Sequence, residues 1–339
     1  RTYGCSIRAI ACHLIGEKRM RELTFIEALR EAYIQEMKRD ENVFLVGQDL
    51  RGSIFPHTEG LVQEFGEDRV VDTPIAESGM FGLAFGAAQE GMRPIVDFMF
   101  GGFSYVTFSE ASVTTGQYYF LHGSQLPLPL VMTAAVGTGM RLANDHAMSV
   151  HGAFLHHPGI KVIMPSTPYD AKGLMAAAIR DNNPVMIPWH MGLMMDKGHV
   201  PEEEYIVPLG VAEVKREGAD VTVLANSVQL RNALEVAEKL SGEISVEVID
   251  PRSFEPFDMG TLVKSLEKTN RLVVVDEDWE NCGFASTISA RVVEEAFDLL
   301  DAPIRRVTTP NMPVPGGYME NYVAPNADRI EAAVRDVCA

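Results

Sequence analysis

A single carboxylate, Glu77, stands between a turn (Asp72, Thr73, Pro74) and a run of small residues at helical spacing, Gly79, Gly82, Ala84, Gly86, Ala87 and Ala88. Glycine costs a helix interior about 0.5–1 kcal/mol against alanine. Several in one helix imply a backbone that something approaches closely. An acid at the mouth of such a helix either caps it or takes part in chemistry, and the local pattern leaves both open. Histidine is the second signal, because five of the nine fall between His122 and His157. The run NDHAMSVHGAFLHHPG offers His146, His151, His156 and His157 after a glycine-bearing loop, a place where working groups often sit. Each alone also fits a satisfied core histidine. His146 and His151 do not share a helical face, and no nearby acid completes a ligand set. Proton handling therefore suits them better than a metal. No GxxxxGK[ST], GxGxxG or GxSxG pattern occurs, which leaves the phosphate loop, the dinucleotide turn and the nucleophile elbow without a carrier.

The elements that must position these groups alternate. Thr24 with Glu27 three residues on predicts a capped helix with an apolar face of Phe25, Ile26, Leu29, Ala32 and Tyr33. Strands are predicted at Val43–Val46, Arg69–Asp72, Pro94–Met99, Leu128–Ala135, Ile160–Met164 and Val185–Ile187. Helices are predicted over the glycine-rich run, Tyr105–Leu121, His146–Leu155 and Asp170–Arg180, with Gly137–Asp145 a long loop. Such alternation means an α/β fold with a parallel sheet covered on both faces. The pattern lapses over residues 191–209, and a second βα series follows from 210 to 339. The expected organisation is an α/β domain over 20–190, a linker over 191–209 and a smaller α/β domain over 210–339. Residues 1–19 read as an appended extension or leader remnant.

The chain has 339 residues, 46% of them hydrophobic, enough for two ordinary domains. A net charge of −18 argues against nucleic acid and anionic membrane as partners. Cys5, Cys12, Cys282 and Cys338 form no CxxC and fit a reducing compartment, hence a cytoplasmic or matrix location.

Read together, RDENVFLVGQDL, RVVDTPIAESGMFGLAFGAAQEGMRPIVDFM, HHPGIKVIMPSTPYDAKGLMAAAIRDNNPV, RLVVVDEDWENCGF and DAPIRRVTTPNMPVP resemble the β subunit of thiamine-diphosphate-dependent 2-oxo acid dehydrogenase E1 components, within the transketolase-like superfamily. The resemblance runs from about Arg21 to Val337. It implies two parallel-sheet domains, one binding the aminopyrimidine of thiamine diphosphate and one of the transketolase C-terminal type. It makes Glu77 the acid at the pyrimidine N1′, and places Met99 and Phe103 on the pyrimidine wall. It also makes His146 the active-site histidine, implicated in acyl transfer to a lipoyl group. Leu130, Ala178, Ile179, Asp181 and Asn183 match a potassium site built largely from carbonyls, although AIRDNN also reads as a plain helix end. The family's diphosphate–magnesium motif, GDG, is absent. That implies an α subunit carrying magnesium, an α2β2 assembly, and a lipoyl-bearing E2 acyltransferase as acceptor.

The chain departs from the family at His146-Ala147-Met148-Ser149, at Thr133–Gly137, at Gln48 where glutamate is usual, and at Thr114–Gln117. These changes bear on substrate and acceptor. They keep open a second reading, the pyrimidine half of a split transketolase-like or carboligating enzyme. A degenerate partner without activity is the third reading, opposed by the retained Glu77, Phe103 and His146.

Overall fold

The computed structural model describes residues 19–339. The expected extension therefore lies, Arg19 apart, outside the described residues. Arg19 itself accepts a backbone hydrogen bond from Glu202 (3.0 Å).

A seven-stranded sheet carries the first half of the chain. Its strands are β2 (Val43–Gln48), β3 (Val70–Thr73), β4 (Arg93–Phe100), β5 (Val131–Val136), β6 (Lys161–Ile163) and β7 (Val185–His190), with β12 (Ser253–Glu255) at one edge. The order is β12-β6-β7-β5-β4-β2-β3. Every pairing is parallel except β12 with β6. β2, β5 and β7 are buried at every position, as strands covered on both faces must be. The second sheet contains β9 (Glu213–Arg216), β10 (Val221–Ala225), β11 (Val246–Asp250), β13 (Leu272–Trp279) and β14 (Arg305–Thr309), in the order β14-β13-β10-β11-β9. Only β9 runs antiparallel to its neighbour. One core cluster draws on both halves, joining Phe98, Met132 and Phe154 to Phe254, Phe284 and Val274.

Local sequence rules account for most elements. Thr24 accepts from the Glu27 backbone N–H and Glu27 reaches back to Thr24, completing the capping box of the Phe25–Arg39 helix. Thr167 caps the Pro168–Arg180 helix by accepting from the Asp170 backbone N–H, with proline in the first turn.

Three expectations need correction. Met20–Thr24, which ends on the cap residue, is a strand (β1) paired antiparallel with β8 (Lys197–Pro201), so the expected linker over 191–209 contains ordered structure. Tyr105–Leu121 is three segments rather than one helix: a 3-10 turn over Gly101–Thr107, a π-helical segment over Ser109–Thr114 and an α-helix over Thr115–Leu121. Hydroxyls explain the wide turn, since Thr115 donates to the Glu110 carbonyl five residues back (2.8 Å) and Ser112 to Phe108 (2.5 Å). Finally, His146–Leu155 splits into short helices at Asn144–Ala147 and His151–Leu155.

Candidate active site

Ligands in open parallel sheets gather outside the carboxyl ends of the strands, and the groups singled out above collect there. Glu77 follows β3 and is the first residue of the Glu77–Gln89 helix. The position before it is Ala76, and no side chain caps this helix. Glu77 is thus not a capping side chain. It is buried (7% exposed) and sits in the first turn, where the helix dipole favours a negative charge.

β4 ends in the wall. Met99 has φ +66°, a strained value for a side chain with a Cβ. Asp97, in the middle of the apolar strand, accepts from the Met99 N–H through Oδ1 (2.8 Å) and pairs through Oδ2 with His57 Nε2 (2.6 Å). Phe100, Phe103 and His146 then form an aromatic cluster, with ring centroids 4.5 Å apart for Phe100–His146, 5.3 Å for Phe103–His146 and 5.5 Å for Phe100–Phe103. Gly102 is required here, because a Cβ would collide with the Asp145 carbonyl. The Gly101–Thr107 segment packs on the Glu77 helix and on the Asn144–Ala147 helix.

The loop leading to His146 is held from the second half of the chain. Thr138 N–H donates to Glu277 Oε1 (2.6 Å), and Arg141 N–H to Glu320 Oε2 (2.9 Å). Asn144 Oδ1 accepts from Val314 N–H (3.0 Å). Glu277 Oε2 accepts from His190 Nε2 (2.9 Å) and Gln229 Nε2 (3.0 Å). Burial alone would raise the Glu277 pKa, but the charge and hydrogen bond of His190 and the Thr138 bond outweigh it, holding the carboxyl down at about 2. Gly137 (φ +92°) lies against the His190 ring, and no Cβ would fit between them.

His151, five residues past His146, belongs to a separate group. Its Nε2 lies 3.0 Å from Asp276 Oδ1 and 3.8 Å from Asp278 Oδ2. Burial would lower its pKa, but Asp276, Asp278 and Glu277 raise it to about 9. Burial and the Asp276 charge lift Asp278 to about 6, against the pull of His151. The three could present one ligand atom each to a cation. Those facing atoms are already engaged, however: Asp276 Oδ1 accepts from Asn226 Nδ2 (3.2 Å) and Asp278 Oδ2 from Gly152 N–H (3.1 Å).

The residues matched to potassium lie at the opposite, amino-terminal edge of the first sheet. Leu130 immediately precedes β5, Ala178 and Ile179 end the Pro168–Arg180 helix, and Asp181 and Asn183 precede β7. Arg93 Nη1 donates to the carbonyls of Ile179 and Asp181 (both 3.0 Å), so a positive charge already sits on two of them. Each carbonyl keeps a second lone pair, and a cation here would share them with Arg93.

The structure thus brings Phe103 and His146 into ring contact, puts Met99 on the adjoining strand end and Glu77 on a neighbouring helix. It separates the five carbonyl residues from them. Asp97, His57, Glu277 and Glu320 escape a reading by sequence. The available signal was an acid inside an apolar strand, as in PIVDFM and RLVVVDEDW, since such a charge is buried only with partners.

Two family models match, "Transketolase, pyrimidine binding domain" over residues 21–195 and "Transketolase, C-terminal domain" over residues 210–330. The chain is 42% identical to the acetoin:2,6-dichlorophenolindophenol oxidoreductase subunit beta of Bacillus subtilis, covering 91% of this chain and 95% of that one. It is 40% identical to the pyruvate dehydrogenase E1 component subunit beta of the same organism (94% and 99% covered) and 38% identical to its 2-oxoisovalerate dehydrogenase subunit beta (94% and 99%). A solved structure described as a split gene transketolase, inactive beta4 tetramer, superposes with a TM-score of 0.77 at 21% identity, over 93% of this chain and 98% of that one, and shows the fold. On both family models and on these relatives, the chain belongs to the family of β subunits of thiamine-diphosphate-dependent 2-oxo acid and acetoin dehydrogenase E1 components.

Proposed function

We propose that this chain holds the pyrimidine half of thiamine diphosphate, and that with an α subunit it decarboxylates a 2-oxo acid, or cleaves a related ketone, and passes the acyl group to a lipoyl acceptor. The observation that carries this reading is Glu77, buried without a capping duty, on a helix packed against the segment that bears Phe103. When bound, the cofactor supplies a nucleophilic thiazolium carbon and an electron sink for decarboxylation.

The chain's own residues divide the remaining work. Glu77 shares a proton with the pyrimidine N1′, an interaction strengthened by the low dielectric of its burial. Phe103 and Met99 fix the ring plane and exclude water. His146, half-buried against Phe100 and Phe103, hydrogen-bonds the reacting group after substrate has added and moves a proton during acyl transfer. Its neighbours Ala147 and Met148 make this part of the site drier than polar residues would.

The diphosphate and its magnesium belong to the α subunit, because no GDG occurs in this chain. A partner surface is available. A Cβ added at Gly82 or Gly86 of the Glu77 helix would meet no other part of the described residues within 4 Å, and Ile75, Leu83, Val106, Phe120 and Leu121 are exposed. Exposed large apolar side chains of this kind suit a chain–chain contact. An α2β2 assembly and an E2 acyltransferase as acceptor complete the reading, with the cytoplasm or matrix as its compartment. Potassium would sit at the 178–183 turn beside Arg93. The split-transketolase alternative is weaker, since that likeness is one of fold at 21% identity, whereas the relatives at 38–42% are named for oxidoreductases.

Calorimetric titration with thiamine diphosphate and magnesium tests the proposal. The isolated chain should bind weakly and the pair assembled with the copurifying α subunit tightly, with affinity reduced when tetramethylammonium replaces potassium. Tight magnesium-dependent binding by the isolated chain would refute the two-chain reading, and indifference to the cation would remove potassium.

A further inference from the structure

We propose that Glu277 and Glu320 are positioning residues that hold the backbone of the Gly137–Ala143 loop and, through it, fix His146. The inference rests on the reading that His146 acts on the reacting group. Three observations lead to it. First, the loop returns on itself, since Gly137 N–H donates to the Ala147 carbonyl (3.0 Å). What lies between must be fixed by contacts from elsewhere. Second, the loop is under strain: Arg141 (φ +61°) and Ala143 (φ +68°) are non-glycine residues in a region that side chains disfavour, and such conformations persist only where the surroundings over-determine them. Third, the surroundings that do so come from the other half of the chain.

Glu277 takes the Thr138 N–H from β13, and Glu320 takes the Arg141 N–H from a 3-10 turn over Gly317–Tyr322. Both glutamates are buried. Both use a charged acceptor on a backbone donor, the stronger kind of hydrogen bond. Glu277 is not free to swing away, whereas Glu320 is held by the Arg141 N–H alone among the described residues, its Oε1 being buried without a partner. Glu277 is tied through its second oxygen to His190 and Gln229. Around Glu320, Gly317 N–H donates back to the Arg141 carbonyl (3.2 Å), and the Arg141 guanidinium lies 4.1 Å from the centre of the Tyr318 ring. Ala147, next to His146, packs on Val314 and Val323 of the same half.

The grip on Thr138 and Arg141 is through main-chain N–H, so it does not depend on which side chains stand there. It does depend on the two acids. The C-terminal domain in this account contributes no group to the reacting atoms. It contributes the placement of the one histidine that does.

The test uses the assembled enzyme, with Glu277→Ala and Glu320→Ala as losses and the corresponding glutamine variants as conservative rescues. Amide exchange at Thr138 and Arg141 should rise at least about tenfold in the alanine variants. Turnover should fall about 10- to 100-fold, as for a reacting group displaced by roughly 1 Å, with KM little changed. Exchange of the cofactor C2 proton, which reports on Glu77, should stay at the wild-type rate. Glu320→Gln keeps an acceptor oxygen for the Arg141 N–H and should recover most of its loss, whereas Glu277→Gln must turn its amide NH2 toward a donor and should recover only part; both also serve if an alanine variant does not assemble. Unchanged amide exchange in both alanine variants overturns the proposal. So does raised amide exchange with full turnover. A His146→Ala enzyme with full turnover sinks the functional reading and the proposal with it, and the amide measurement then shows whether the anchors themselves were real.

Discussion

Glu77→Gln keeps the shape of the side chain and removes its capacity to share a proton. If the acid works at N1′, exchange of the C2 proton of bound cofactor should slow by about 10²–10³, typical for one preorganised interaction at a reacting centre. Stability should change by about 1 kcal/mol or less, the scale of a charge at a helix N-terminus. The reverse outcome, normal exchange with a lowered melting temperature, would return Glu77 to a structural role. At this scale the sequence was informative where a residue's neighbours in the chain define its task. Glu77 precedes a glycine-rich helix and His146 follows a glycine-bearing loop, so type and spacing single both out as candidates, while their roles are only what the family resemblance implies. Asp97 could not, because its meaning lies in His57, 40 residues away, and in the strained Met99 amide. Glu277 and Glu320 reach back 139 and 179 residues, beyond any local pattern.

Elements show the same division. The Thr24–Glu27 capping box is local and legible. The π-helical segment at Ser109–Thr114 is not, because the pull of Thr115 and Ser112 on nearby carbonyls competes with a periodicity that reads as one helix. β13 shows how an element can carry charge into a core. It delivers Asp276 and Asp278 to His151, at the contact between the two sheets' layers. This group makes a pH prediction. His151 is raised to about 9 in the folded chain, above its unfolded value of about 6.5. Its contribution is therefore complete below about pH 6.5 and is lost as pH rises through 9. Asp278, raised to about 6, finishes its own change below pH 7 and does not confuse that window. Urea unfolding between pH 7 and 9 should thus reveal a stability decline on the order of a few kcal/mol. His151→Gln should be less stable at pH 7 and nearly flat over the same range. A flat wild-type profile would mean that the imidazole is neutral in the folded state.

The whole molecule is less modular than two successive βα series suggest. β12, from the second series, extends the sheet of the first, and β8, in the apparent linker, pairs with β1 at the other end of the first series. Phe254 of β12 stacks near His151, with ring centroids 4.8 Å apart. Protease cleavage between Glu202 and Leu209 should therefore yield two fragments that co-elute under native conditions and separate only in denaturant. Their parting on a native sizing column would show that the layers are held together by the covalent thread alone. For anyone building hybrids of such subunits, the crossover at 253–255 matters more than the position of the linker. A chimera joined near residue 209 inherits its outermost strand from one parent and the strand it must zip onto from the other. The seam that decides whether such a hybrid folds is then the register of Ser253 and Glu255 against Ile163 and Val162, a junction invisible at the point where the genes would be cut.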